Sequence, residues 1–223
     1  MEAPANPYAH ALDGLNLPDP VTAFFDFCKE RERIRLARSS GAPGPWTDDP
    51  VLQQGRFLNV FREDDRVTKS VLRFIGGATA SYEHLVHAAL FARWCNKDTT
   101  LDDLQAKMLD EPLTLRRDLE RLRDQPWCNV TAYPVEPLRL GGRVLGRLET
   151  ATQYFYDRRS ELLSAIKSGK GDISQATHAV NQVLGMKNDF PIFMAIVDIA
   201  WFAPDLVDPA SHVPTGIGAV AYL

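Results

Sequence analysis

A chain of 223 residues, 45% of them hydrophobic, is long enough to bury one sizeable core, and this length predicts a single domain. The formal charge of −4 excludes a molecule that is basic all over, so contacts with nucleic-acid phosphates must come from a local basic face. The three cysteines, Cys28, Cys95 and Cys128, have neither the spacing of a zinc site nor the density of a disulfide framework, which favours a reducing compartment.

The two ends of the chain give no sign of export or membrane insertion. Residues 1–20 lack a basic start followed by an apolar run, so we predict an N-terminal arm and no signal peptide. The longest apolar stretch, Phe190 to Val207, contains Asp198 and predicts a core helix, since a membrane span would be longer and uncharged. We therefore expect one helical domain over residues 21–223, located in the cytoplasm and without a membrane partner.

The first predicted helix, Val21 to Arg38, is amphipathic with a basic outer face. The loop that follows ends in Asp49-Pro50, which is typical of an N-cap followed by a proline in the first helical turn. A second helix therefore begins at Pro50. Its apolar positions extend to about Phe61, and the pattern leaves open whether the helix breaks there or continues to Phe74.

The rest of the chain is also predicted to be mainly α. Around Gly141-Gly142, within residues 130–148, the many Val, Leu, Tyr and Thr side chains favour a short β-hairpin or an irregular excursion. Apolar residues three and four apart predict the remaining helices at Ser81 to Trp94, Leu101 to Leu109, Leu115 to Arg123, Thr150 to Lys167, Ser174 to Leu184 and Phe190 to Phe202.

A polar stripe marks the helix predicted after Pro50. Gln53, Arg56, Asn59, Arg62 (or Glu63) and Arg66 are three to four residues apart, and so are predicted to share one face of this helix. One interpretation is an ordinary solvated surface. The other is an anion site, because arginine forks suit phosphate groups while Asn and Gln side chains read base edges or hold an arginine in place.

The same segment carries a resemblance to a known family. Residues 45–53 (PWTDDPVLQ) and 56–68 (RFLNVFREDDRVT) resemble the signature of the alpha-glutamyl/putrescinyl thymine pyrophosphorylase family of bacteriophages. They are also similar to the helical module fused to phage 5-hydroxymethyluracil DNA kinases. Residues 30–34 (ERERI) and 91–97 (FARWCNK) resemble the family more loosely.

The resemblance implies a fold related to helix-hairpin-helix DNA glycosylases and a role in thymine hypermodification. Members act on DNA whose 5-hydroxymethyluracil has been pyrophosphorylated by a kinase, and they displace pyrophosphate with an amine such as an amino acid or putrescine. The implied partners are DNA with a modified pyrimidine, a small amine or amino-acid co-substrate and a DNA kinase, in the cytoplasm of the host cell. No redox cofactor is implied, while a divalent metal on the pyrophosphate stays open.

For this chemistry we predict that the target base is flipped out of the duplex and that Arg56, Arg62 and Arg66 stabilise the departing pyrophosphate. Asn59 and Gln53 would orient the base or these arginines. Asp198, and after it Asp208, are the candidates for the general base that deprotonates the amine. Asp198 has a second interpretation, because a carboxylate in an apolar helix can equally be a bonded core residue.

Near the C-terminus, the Gly216-Ile217-Gly218-Ala219 string is similar to a late family motif, and its amides are candidates for phosphate binding, with His212 beside them. Two departures leave an alternative open. After Gly185, residues 186–189 (MKND) stand where the family's hairpin has another glycine, and the chain ends at Leu223, where relatives continue. A non-catalytic DNA-binding module that partners a 5-hydroxymethyluracil DNA kinase is therefore the alternative function.

Two other motifs were considered. Glu83 and His87 have the i, i+4 spacing of a metal pair, but the sequence offers no third ligand in a matching position, so ordinary helix residues are the favoured interpretation. The chain has no Gly-x-x-x-x-Gly-Lys-Ser/Thr loop, which excludes the P-loop kinase itself.

Overall fold

The structure is a computed structural model, and it describes residues 19–54, 59–121, 126–131 and 135–211. Over these ranges the protein is mainly helical, with a small two-stranded antiparallel hairpin, as the sequence predicts. The elements in chain order are α1 (Pro20–Ser39), α2 (Pro50–Gln54), α3 (Arg66–Gly76), α4 (Tyr82–Cys95), α5 (Asp98–Asp103), α6 (Pro112–Glu120), β1 (Leu138–Leu140), β2 (Arg143–Leu145), α7 (Arg147–Glu149), α8 (Phe155–Asp157), α9 (Arg159–Ser168), α10 (Ile173–Leu184) and α11 (Phe190–Phe202).

Local capping explains why several predicted helix limits are confirmed to within one or two residues. The side chains of Asp19, Ser81 and Asp172 each accept a hydrogen bond from the backbone N–H three residues later, at the starts of α1, α4 and α10. Helix α10 ends at Gly185, whose φ of 66° is the left-handed value that glycine adopts without strain. These signals lie within a few residues of the helix end, so sequence alone can specify them.

The predicted hairpin is also confirmed. Leu138 lies opposite Leu145, and the Gly141-Gly142 turn has positive φ values of 54° and 82°, which a tight two-residue β-turn requires.

Two predicted helices are interrupted. The helix predicted at Leu101 to Leu109 is divided between α5 and a 3-10 turn, Ala106–Asp110. The helix predicted at Thr150 to Lys167 starts as a π turn, Thr150–Tyr154, and is broken again at Arg158 before α9.

The chain divides into two compact units. In the first, the described residues 19–54 and 59–65 hold α1, α2 and the loop between them, with Ile34, Thr47 and Leu52 buried. The second contains α3 to α11 and the large hydrophobic core. At its centre is α4, whose residues 85–95 are all buried. A helix that is apolar on every side must be covered on every side, and α3, α9 and α11 pack against it.

The prediction of a continuous polar helix face after Pro50 is wrong. Helix α2 is described as far as Gln54, Arg62–Asp64 forms a 3-10 turn, and the backbone is extended at Phe61 and at Asp65, so Arg66 begins a new helix. The extended backbone lets Asp64 reach Arg35 of α1, with 3.1 Å between Oδ2 and Nη2. Arg56 lies outside the described residues.

None of the helices in the described ranges is both long enough and apolar enough to cross a bilayer.

Candidate functional site

The first residues of the Trp46 to Thr68 segment hold a loop onto α1. Arg33 donates from Nη2 to the carbonyl of Trp46 over 2.6 Å, and the indole Nε1 donates to the carbonyl of Ala42 over 2.7 Å. The guanidinium of Arg38 lies over the indole ring, 5.2 Å from its centroid, at cation–π distance. Trp46 therefore fixes the Gly/Pro-rich loop against the helix.

Gln53 belongs to the same scaffold. Its Nε2 donates to the carbonyl of buried Thr47 over 2.7 Å, which stabilises the turn ahead of α2. Hydrogen bonds from Arg33 and then from Thr47 lower the pKa of the Glu30 carboxyl to about 2. At the start of α2 the carboxylate of Asp49 accepts from the backbone N–H groups of Val51 and Leu52, as its predicted N-cap role requires.

The remaining candidates of the polar stripe are separated from Gln53 by the break in the helix. Asn59 is exposed and lies outside any helix or strand, and Arg62 is half-buried in the 3-10 turn. Arg66 lies in the second unit, at the first position of α3. The stripe as a whole therefore cannot form one anion-binding face, and the candidate anion site is instead on α3, the helix that begins at Arg66.

Helix α3 presents a basic face within the second unit. Arg66, Lys69 and Arg73 are exposed at positions i, i+3 and i+7, while Val71 and Ile75 on the opposite side are buried in the core. Arg66 Nε is 2.8 Å from Asp98 Oδ2, and Arg73 Nη1 is 2.7 Å from Asp102 Oδ1.

These two ion pairs leave the guanidinium groups available. The Arg66 side chain is 84% exposed and that of Arg73 is 67% exposed. Exposed ion pairs such as Arg73–Asp102 contribute only about 0–1 kcal/mol, so an incoming phosphate can replace Asp102 at little cost. Arginine forks bind phosphate in a bidentate manner, which makes this face of α3 the best anion-binding surface among the sequence candidates that the structure describes.

A cleft adjoins the basic face. It has a volume of about 370 Å³ and is lined by side chains of α3, α5 and the following turn, among them Arg73, Phe74, Asp102 and Gln105. A carboxylate, an amide and a guanidinium at the rim of an apolar floor offer both hydrogen-bond donors and acceptors. The cleft therefore has the mixed chemistry that a polar heterocycle needs.

The structure favours the core-carboxylate interpretation of Asp198. Its Oδ2 and Oδ1 accept hydrogen bonds from Arg93 Nε and Nη2 over 2.6 and 2.9 Å. Both residues are buried, one on α11 and the other on α4. Both carboxylate oxygens are occupied by guanidinium N–H groups and shielded from solvent, so Asp198 is poorly placed to reach an incoming amine.

Asp208, the second candidate base, is exposed. Its backbone N–H donates to the carbonyl of Gly171 over 2.8 Å, and its Oδ1 accepts from the N–H of Ala210 over 2.9 Å. The other C-terminal candidates, His212, Gly216 and Gly218, lie outside the described residues.

The loop after α10, where the family's hairpin was expected, does present backbone amides to an anion. The N–H groups of Lys187 and Asn188 donate to the same oxygen, Glu136 Oε1, over 2.7 and 2.8 Å. In this structure the acceptor is therefore the protein's own carboxylate.

The histidines considered for metal binding have other partners. His87 is buried, and its Nε2 lies 3.0 Å from the carbonyl of Ala151 in the π turn. Burial lowers the pKa of this imidazole to about 4. His84 Nε2 lies 3.0 Å from the carbonyl of Ala106. Across the described ranges, no three His, Cys, Asp or Glu side chains are grouped closely enough to hold a metal ion.

Three structural features escaped the sequence reasoning. Arg93, an arginine in an otherwise apolar helix, was the available signal that Asp198 had a buried partner. Lys69 and Arg73 continue the basic spacing of Arg66 and could have been found by extending the stripe. Arg147 is half-buried and donates hydrogen bonds to the backbone carbonyls of Trp94 and Asn129. A local sequence pattern cannot predict these contacts, because the partners are far apart along the chain.

One of three comparisons with known proteins finds a match. No curated protein and no solved structure matches the chain. A family model does match residues 19–124, which include the Trp46 loop, the basic face of α3 and the adjoining cleft. Its description is "5-hmdU DNA kinase, helical domain", so this part of the chain is similar to the helical domain of 5-hydroxymethyldeoxyuridine DNA kinases.

Proposed function

We propose that the chain is a helical DNA-binding module that acts on DNA containing 5-hydroxymethyluracil and works together with a kinase for that base. The observation that carries this proposal is the exposed basic face of α3, which lies within the residues matched by the DNA-kinase helical domain. The overall charge of −4 is no obstacle, because phosphate contacts depend on the local field.

The basic face and the cleft bind different parts of the DNA. Arg66, Lys69 and Arg73 bind backbone phosphates, which position the protein on DNA without reading sequence. The cleft beside Arg73 accommodates an exposed pyrimidine, with Gln105 and Asp102 available to its polar edge. The module therefore distinguishes DNA from other anions by the phosphate spacing, and the modified base by the cleft.

Fluorescence anisotropy with matched duplexes that contain thymine or 5-hydroxymethyluracil tests this function. We expect Arg66→Ala, Lys69→Ala and Arg73→Ala each to weaken binding to both duplexes. Each should also reduce the slope of log K against the logarithm of salt concentration by about 1 in magnitude. Lys167→Ala is the matched control, since Lys167 is an exposed lysine on α9 and outside the matched region. Absence of DNA binding, or an equal loss in the Lys167 variant, would refute the proposal.

Amine transfer onto pyrophosphorylated 5-hydroxymethyluracil is the second candidate function, favoured by the resemblance of the Trp46 to Thr68 segment. The incoming amine needs a base that solvent and substrate can reach, and Asp208 is the exposed carboxylate of the two candidates. DNA bearing the pyrophosphorylated base is incubated with a set of amines and digested to nucleosides. A thymidine adduct that mass spectrometry detects with the native protein but not with Asp208→Asn supports catalysis. Absence of an adduct with every amine would rule out amine transfer and retain the DNA-binding function.

A further inference from the structure

Helix α1 exposes an apolar surface that the described residues of the first unit, 19–54 and 59–65, do not cover. Phe24, Phe25 and Phe61 are 61, 55 and 49% exposed, and Leu36 is 53% exposed. Together with Cys28 they line an open groove of about 620 Å³. Exposed apolar patches of this kind on soluble domains mark interaction sites.

The order of residues along the groove is symmetric about its centre. Phe25, Lys29, Glu32 and Leu36 all line it, at successive spacings of four, three and four residues, so they form one face of α1. When two such helices run antiparallel, Phe25 of one faces Leu36 of the other, and Lys29 of one faces Glu32 of the other. Each contact then occurs twice, as a two-fold interface requires.

We propose that a second copy of this chain occupies the groove, with the two α1 helices packed antiparallel through Phe25, Lys29, Glu32 and Leu36. None of these four residues belongs to the basic face of α3, so the proposal does not rest on DNA binding.

The charges along α1 favour this arrangement over a parallel one. Residues 19–28 carry two acidic and no basic side chains, whereas residues 29–39 carry five basic and two acidic side chains. An antiparallel pair sets the acidic half of each helix against the basic half of the other, while a parallel pair would set like charges together.

A nucleic acid is a poorer occupant of the same groove. The cations at its rim already have acidic neighbours, with Lys29 Nζ 3.0 Å from Asp26 Oδ1 and Arg33 Nη2 2.6 Å from Glu30 Oε1. The groove also offers phosphate groups no continuous basic face, because Glu32 lies beside Lys29 along it and Phe and Leu side chains line most of the rest. The apolar floor and the mixed-charge rim instead resemble a protein–protein interface.

The available area fits a modest dimer. The exposed parts of the three Phe side chains and of Leu36 amount to roughly 400 Å² per copy, about half of the ~800 Å² per partner in a standard interface. The aliphatic stems of Lys29 and Arg33 add to this area. We therefore expect a dimer in the micromolar range, because small interfaces leave little free energy after the loss of rigid-body freedom.

Light scattering coupled to size-exclusion chromatography measures the expected change in mass. The full chain should rise from its monomer mass of 24.9 kDa to twice that value as concentration passes through the micromolar range. Phe25→Glu should abolish the rise, and Leu113→Glu should not, although Leu113 is 67% exposed on α6. Unchanged circular dichroism of both variants shows that the fold is intact. A native chain that stays monomeric throughout, or a dimer that Phe25→Glu leaves unaltered, overturns the proposal.

Charge reversal tests the antiparallel register itself. Lys29→Glu and Glu32→Lys should each raise the dimer dissociation constant severalfold, because each puts like charges opposite one another twice. Glu32 also accepts hydrogen bonds from Arg35 of its own helix, so circular dichroism must show that the fold of the Glu32→Lys variant is intact. The double variant restores opposite charges and should return the constant to within about twofold of the native value. A double variant weaker than either single one overturns this register.

Discussion

Replacing Asp198 with asparagine separates a structural role from a catalytic one. Asparagine has almost the same volume, so packing around α11 is retained, but the charge that neutralises buried Arg93 is removed. The two hydrogen bonds of 2.6 and 2.9 Å, with side chains only 3% and 1% exposed, mean that solvent cannot replace the lost carboxylate. Breaking a buried pair of this kind costs about 3–5 kcal/mol.

A loss of this size is a large part of the stability of an ordinary domain, about 5–15 kcal/mol, and predicts a fall in melting temperature of about 10 °C. Urea unfolding followed by circular dichroism measures it. Asp102→Asn is the matched control, because its partner Arg73 is exposed and the expected loss is below about 1 kcal/mol.

The double variant Arg93→Met/Asp198→Leu checks the cause. If the penalty of Asp198→Asn comes from an uncompensated buried charge, removing both charges should recover most of the lost stability. A loss below about 1 kcal/mol for Asp198→Asn would refute this reasoning. Native stability together with a complete loss of amine transfer would instead return Asp198 to the role of general base.

Two further predictions concern the Trp46 loop and the core. Gln53→Leu should lower the free energy of unfolding by about 1 kcal/mol, because the carbonyl of Thr47 loses its donor, and should leave DNA affinity unchanged; lost affinity with unaltered stability would instead assign Gln53 to base reading. Stability should fall as the pH drops from about 6.5 to about 4, by up to roughly 3 kcal/mol, because the unfolded chain protonates His87 more readily than the folded one. Melting temperatures of the native chain and of His87→Asn across this range test it, and an equal slope in both would contradict the assignment.

Local sequence determined much of the helical architecture. Asp49-Pro50, Ser81 and Gly185 each act on backbone groups within a few residues, so the starts of α2 and α4 and the end of α10 were predictable. The Gly141-Gly142 turn likewise fixed the hairpin, since few other residues adopt two successive positive φ values.

Tertiary structure decided which polar residues belong to a site. The periodicity of Gln53, Arg62 and Arg66 was real, but periodicity cannot show that the backbone becomes extended between them, because that break is stabilised by the distant pairing of Asp64 with Arg35. Gln53 was predicted to orient a base or an arginine, and the structure adds a contact that its spacing does not reveal, from Nε2 to the Thr47 carbonyl.

The same limit applies to Asp198. Its partner Arg93 is 105 positions away along the chain, and only the packing of α4 against α11 brings the two side chains together. Sequence determined that a carboxylate would lie in an apolar helix, because both facts are local. Whether that carboxylate is paired or open to substrate depends on long-range packing, and the structure supplied the answer.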